Sequence, residues 1–223
     1  MVMAEATNHY FKHLGVSDGL SQVCIPSIYQ DELGAVWLGT TEGLNRYNGK
    51  DVRVFQPSES NHGLTNNEIN ELCGDKNGRM YIRSGNDLIK LDIYTEQFTC
   101  LRQKGVYGLF CKKDTLWVSC ADGIYYYTGQ GTELTFFARV QKGFVGRALY
   151  VDRETVWVVT RKYLVAISRE DPLRQEILLT LDKGNCILGD SSGNIWVGAW
   201  NGLYRVSPDR ETTAYVSHSG MGE

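Results

Sequence analysis

Five aromatic residues, Trp37, Tyr81, Trp117, Trp157 and Trp196, follow one another at intervals of 44, 36, 40 and 39 residues. Each carries the same downstream register. The seventh residue after them is Leu44, Leu88, Ile124, Leu164 and Leu203, and the tenth is Tyr47, Leu91, Tyr127, Ile167 and Val206. A period of about 40 residues is that of a four-stranded propeller blade. The chain is therefore read as all-β, a β-propeller built of five four-stranded blades. The balance of 24 glycines, 13 tyrosines and five tryptophans against four prolines suits many short strands joined by tight turns.

Within a repeat, the pattern predicts an inner strand (Ile25 to Tyr29), an aromatic-bearing strand (Val36 to Gly39), a third strand (Leu44 to Tyr47) and an outer strand (Val52 to Phe55). Asp31 with Gly34, Asp75 with Gly78 and Asp190 with Gly193 mark the first hairpin of repeats one, two and five. Aspartate there can accept backbone N–H groups, and glycine can take positive φ. Repeats three and four shorten that hairpin, with Asp114 and Glu154 three residues before the aromatic. The expected blades cover about 18–57, 58–101, 102–139, 140–180 and 181–217. Residues 1–9 read as a leader, and 10–14 as an outer strand preceding the first blade. The pattern fits either a five-bladed ring or part of a larger, seven-bladed propeller, and the larger propeller is the expectation. Exposed edges then predict a homodimer through propeller edges.

Composition removes several classes of function. A net charge of −3 gives no bulk reason to bind nucleic acid or an anionic membrane surface. Arg161 and Lys162 interrupt the most apolar stretch, so no membrane span is expected. Cys24, Cys73, Cys100, Cys111, Cys120 and Cys186 are scattered without C-x-x-C pairs and read as small core fillers; no metal or other cofactor is expected. A five-bladed glycoside hydrolase needs two carboxyl groups projected from the inner strands, and the expected inner strands carry one acid, Glu71. No residue is assigned a catalytic role.

The loops between second and third strands differ in every repeat while strand positions recur, as expected of a scaffold whose loops serve recognition. They should emerge on the same face as the loops joining successive blades. From them come the candidate ligand-binding residues: Trp200 to stack on a sugar ring, with Tyr163 as a second aromatic; Arg161 and Arg83 to pair with carboxylate or sulfate, with Lys162 as a further donor; and Asn201 and Asn86 to bond hydroxyls. Each has a plainer role: a lid over the blade core for Trp200, solvated charge for the cations, tolerance of left-handed backbone for the asparagines.

The stretch Asp18-Gly19-Leu20-Ser21, with Val36-Trp37-Leu38-Gly39-Thr40 and Gly43-Leu44-Asn45-Arg46-Tyr47, resembles the two-component regulator propeller repeat. Gly63-Leu64-Thr65-Asn66-Asn67 and Ile195-Trp196-Val197-Gly198 with Gly202-Leu203-Tyr204 repeat the pattern. The resemblance implies the periplasmic sensor region of a hybrid two-component histidine kinase, of the kind by which gut Bacteroidetes sense fragments of complex polysaccharides. An oligosaccharide is then the implied ligand, and the kinase lies outside this chain. The alternative is a propeller scaffold for protein–protein interaction using the same loop face.

Overall fold

The computed structural model describes residues 13–57 and 63–215. Most of the expected leading strand 10–14, together with the expected leader, His9, His62, Val216 and His218, lies outside the described residues.

Twenty strands form five separate four-stranded antiparallel sheets, each in chain order from its inner to its outer strand. Blade one comprises β1 (Ser27–Gln30), β2 (Val36–Thr40), β3 (Gly43–Tyr47) and β4 (Val52–Phe55). Blade two comprises β5 (Ile69–Gly74), β6 (Arg79–Ser84), β7 (Asp87–Asp92) and β8 (Gln97–Arg102). Blade three comprises β9 (Val106–Lys112), β10 (Thr115–Cys120), β11 (Gly123–Tyr127) and β12 (Thr135–Ala138). Blade four comprises β13 (Gly146–Val151), β14 (Thr155–Thr160), β15 (Tyr163–Ser168) and β16 (Gln175–Thr180). Blade five comprises β17 (Cys186–Gly189), β18 (Ile195–Ala199), β19 (Gly202–Val206) and β20 (Thr212–Tyr215). The first strand begins two residues later than expected, after Pro26, which has no N–H to give to a ladder.

The inner strands stand side by side in the order β1, β5, β9, β13, β17. Each blade therefore packs one face on its predecessor and the other on its successor, which explains the recurrent positions. The aromatic and the seventh residue after it face the next blade. The tenth faces the previous one. Trp37, Leu44 and Phe55 thus meet Ile69, Met80, Ile82 and Leu91; Tyr81 and Leu88 meet Val106, Leu116, Val118 and Tyr127. Trp117 and Ile124 meet Val156, Val158 and Ile167, and Trp157 and Leu164 meet Ile195, Val197 and Val206. Where both faces are covered, a strand is apolar throughout rather than alternating: β14 is buried from end to end.

These are four cores for five blades, and no hydrophobic core of the described residues joins blade five to blade one. Leu203 and Tyr215 occupy the positions of Leu44 and Phe55, which are buried, yet are 42% and 47% exposed. Leu188 is 64% exposed beside the stacked Trp196–Tyr215 pair. On blade one, Ile28 and Val54 are likewise open. The position within the repeat designates these residues as core, and among the described residues no blade faces them, so they stand in water.

Hairpin aspartates hold the other end of blades one, two, four and five. Asp31 is buried and accepts from the N–H groups of Leu33 (3.0 Å) and Ala35 (2.9 Å) with one oxygen and from Trp37 Nε1 (2.7 Å) with the other. Asp190 does the same for Ser192 (2.9 Å), Asn194 (2.9 Å) and Trp196 Nε1 (2.8 Å). The indole N–H and the further hydrogen bonds bring the Asp190 carboxyl down to about 2. In blade two the aromatic is Tyr81, which offers no indole N–H, and the Arg79 guanidinium pairs with Asp75 instead. Gly34, Gly78 and Gly193 take φ of 85°, 84° and 82° in these hairpins, the conformation for which glycine is required. Blade four departs from expectation. Its acceptor is Asp152, five residues before the aromatic, which takes N–H bonds from Glu154 (2.8 Å), Thr155 (2.8 Å) and Trp157 Nε1 (2.6 Å). Glu154 is a donor through its backbone, not the acceptor.

Candidate functional site

The turns between second and third strands are tight, pairing Thr40 with Gly43, Ser84 with Asp87, Cys120 with Gly123 and Ala199 with Gly202. They share a face with the inter-blade loops, because the two sets bond each other. Gly43 N–H donates to Asn67 O (2.8 Å), Ala121 N–H to Gly105 O (2.8 Å), Gly184 N–H to Arg161 O (3.1 Å) and Trp200 N–H to Asp182 O (2.9 Å). In blade one the buried Asn45 completes the clasp, accepting from Ser21 N–H (2.9 Å) and donating to Ser21 Oγ (2.8 Å). Backbone that is pinned this way presents its turn side chains at little further entropic cost.

Five of the seven candidate residues come together where blades four and five meet. A cavity of about 640 Å³ is lined by Arg161, Lys162, Tyr163, Thr180, Leu181, Asp182 and Lys183. Trp200 stands beside it with its ring 4.8 Å from Lys183 Nζ and 78% exposed, so it is no lid over the blade core. Tyr163 is half-buried against Phe144, ring centroids 4.8 Å apart. Asn201 Oδ1 accepts from Asp182 N–H (3.3 Å) and fixes the inter-blade loop. Three cations face one carboxylate here, and the Arg161 guanidinium makes no ion pair among the described residues. Lys183 was not among the sequence candidates. Its φ of 49° is unusual for lysine, and it belongs to the inter-blade loop rather than to a turn between second and third strands.

The other two candidates lie in blade two, away from this cavity. Arg83 is already engaged, with Nε 3.4 Å from Glu71 Oε2 and Nη1 donating to Gly85 O (3.2 Å). Asn86 is exposed and its carbonyl accepts from Val106 N–H (3.0 Å). Neither Asn86 nor Asn201 takes positive φ, so left-handed backbone is not the reason for either.

Glu71 reaches from β5 to the neighbouring inner strand, accepting from Leu109 N–H (3.1 Å). Burial pushes its carboxyl up to about 7, against the opposing pull of Arg83. The folded chain then keeps a proton that an unfolded glutamate releases near 4.5, so stability falls as pH rises between these values. The difference corresponds to about 3 kcal/mol, of which we expect roughly half because the side chain is 29% open to water. Urea unfolding at several pH values checks this: Glu71→Gln should flatten the decline, and an unchanged slope would assign it to other groups.

A larger groove of about 760 Å³ lies at the opposite face, between the outer parts of blades four and five. Its four arginines, Arg153, Arg169, Arg174 and Arg210, are offset by Glu154, Glu170 and Glu176. Arg210 is paired with Glu176, and Arg169 is spent on the carbonyls of Asp152 and Arg153. That commitment leaves it less free charge than the smaller cavity has. Among the described residues no three His, Cys, Asp or Glu side chains gather as a metal site would require.

Residues 19–42 match the two-component regulator propeller. The matched segment holds the Ser21–Thr40 hydrogen bond and the Asp31–Trp37 pair, the two polar fastenings of blade one. A histidine kinase of Formosa agariphila, Histidine kinase P4, is 38% identical over 53 residues, 24% of this chain and 4% of that kinase. Among solved structures, the extracellular domain of a hybrid two-component system from B. thetaiotaomicron superposes with a TM-score of 0.79 at 22% identity, over 92% of this chain and 32% of that one. A domain described as belonging to a one-component system of the same organism gives 0.76 at 19% identity, over 92% and 33%. Streptogramin B lyase gives 0.69 at 15% identity, over 91% and 72%. At such identities the likeness is one of fold, and it is shared by extracellular domains of one- and two-component systems and by a lyase alike. The chain spans about a third of the two B. thetaiotaomicron domains. It is a β-propeller domain resembling the extracellular regions of hybrid two-component systems, and among its described residues no helix is long and apolar enough to cross a membrane.

Proposed function

We propose that this chain is part of the extracytoplasmic ligand-sensing propeller of a hybrid two-component system and that it recognises an acidic oligosaccharide at the cavity between blades four and five. The observation that carries the reading is the exposed Trp200 ring beside Lys183, which lines one cavity with Arg161 and Lys162, none of the three cations being in an ion pair among the described residues. An indole presents a flat apolar face to the C–H side of a sugar ring, and a guanidinium can grip a carboxylate or sulfate with two parallel hydrogen bonds. The cavity volume is within the range of small-ligand sites, roughly 300–1,000 Å³. Because Arg161 and Trp200 are bonded through their backbones to the loop between the blades, a ligand touching both would bias how blade five sits on blade four. A sensor needs such a difference in affinity between two arrangements. The relay to a kinase takes place in parts of the protein outside this chain.

Isothermal calorimetry against matched neutral and acidic oligosaccharides tests the reading. Acidic members should bind with an affinity that falls as salt is added, and neutral ones should bind more weakly. A folded chain that binds neither set would refute the sugar and favour a protein partner on the same loop face.

A further inference from the structure

Cys73 and Cys111 are 38 residues apart in sequence, and their sulfurs are 2.7 Å apart in the fold. Cys73 lies on β5 opposite Tyr81, and Cys111 on β9 opposite Leu116, so the contact bridges the inner strands of blades two and three. The separation is far shorter than the packing distance of unbonded sulfurs and about 0.7 Å longer than an S–S bond. No other pair of cysteine sulfurs among the described residues is in contact. Cys24 and Cys186 are exposed on blades one and five, Cys120 is buried in the core between blades two and three, and Cys100 packs on the core between blades one and two. Both residues of the close pair are half-buried.

We propose that Cys73 and Cys111 form a reversible disulfide that staples the inner strands of blades two and three. The co-reactant is a disulfide-bearing oxidant, either a thiol–disulfide oxidoreductase or a small-molecule disulfide. One cysteine thiolate attacks a sulfur of the oxidant and expels the first thiolate of that reagent, which takes up a proton. The second cysteine then attacks its neighbour's sulfur in the mixed disulfide and expels the other. Two cysteine thiols lose two electrons and two protons to one disulfide reagent, which leaves as two thiols. Burial holds the Cys73 thiol well above its ordinary range, with Cys111, Glu71 and Asp75 adding to the effect.

The staple has a structural consequence. Glu71, two residues before Cys73, already ties β5 to β9 through Leu109 N–H, and the two fastenings together would fix the spacing of blades two and three. Motion would then be confined to the other blade interfaces, including the one between blades four and five. The chemistry requires only an oxidising surrounding. It can be tested on the purified chain whether or not the ligand reading holds.

The chain is equilibrated with excess glutathione disulfide, or with dithiothreitol, then denatured, alkylated and analysed by mass spectrometry. The oxidised sample should carry four alkyl groups against six for the reduced one, and its digest should contain a peptide joining Cys73 to Cys111. Its Tm should exceed that of the reduced chain by on the order of 8 °C, as closing a loop of this length predicts. Cys73→Ser and Cys111→Ser, each with five alkylatable thiols, should lose both the cross-linked peptide and the redox response of Tm. Six alkylatable thiols after oxidation, or a disulfide joining any other pair, would overturn the proposal. If Cys73→Ser fails to fold, the count and peptide map of the unaltered chain decide the matter alone.

Discussion

Trp37→Ala is expected to lower the unfolding free energy by about 4 kcal/mol, which for a chain of this size is a fall in Tm of roughly 10 °C. Two costs combine. The Trp37 ring is fully buried between blades one and two, 5.7 Å from Phe55, and its loss leaves a cavity that strand-locked neighbours cannot fill. Its N–H is also one of three donors to the buried Asp31 carboxylate, which would lose a charge-assisted hydrogen bond. Trp37→Phe separates the two costs: it keeps most of the ring and removes the donor, so about 2 kcal/mol is expected. The equivalent change at Trp196 should be clearly milder, because among the described residues no blade covers that side and the ring is only half-buried. Urea unfolding followed by circular dichroism measures all three. Equal losses at Trp37 and Trp196 would mean that burial between blades is not what makes the aromatic position valuable.

The second large effect is on binding. Trp200→Ala combined with Arg161→Ala is expected to weaken an acidic oligosaccharide about 100-fold while leaving Tm nearly unchanged, because the exposed ring and the unpaired guanidinium contribute little to folding. The single changes should separate by ligand. Trp200→Ala should cost about tenfold against neutral and acidic sugars alike, whereas Arg161→Ala should act on the acidic ones and remove most of the salt dependence. Arg83→Ala serves as the contrast. It should leave binding intact, since the residue lies in blade two, and instead destabilise the chain by stranding Glu71. Binding that survives the double change would place the ligand elsewhere, the arginine-rich groove on the opposite face being the next place to look.

What could be read from the sequence was whatever forms within one repeat. Each sheet is made of four consecutive strands, so its hydrogen bonds close within about 40 residues, and the aromatic, the seventh and the tenth residue mark faces by strand alternation alone. Asp31 and Asp190 were legible for the same reason, as acceptors a few residues from their donors. Asp152 was not, because its hairpin is one residue shorter between acceptor and aromatic, and Glu154, at the three-residue offset it shares with Asp114, stood in the way.

Contacts between blades were decided only by the tertiary structure. Glu71 accepts from Leu109 N–H because the inner strands of blades two and three lie side by side. Lys183 joins Trp200 and Arg161 because an inter-blade loop folds under two turns. Cys73 and Cys111 meet because two inner strands lie side by side, a neighbour relation that no short spacing encodes. A repeat fixes its own sheet through local hydrogen bonds; the side chains that one blade offers another are matched only when the blades pack.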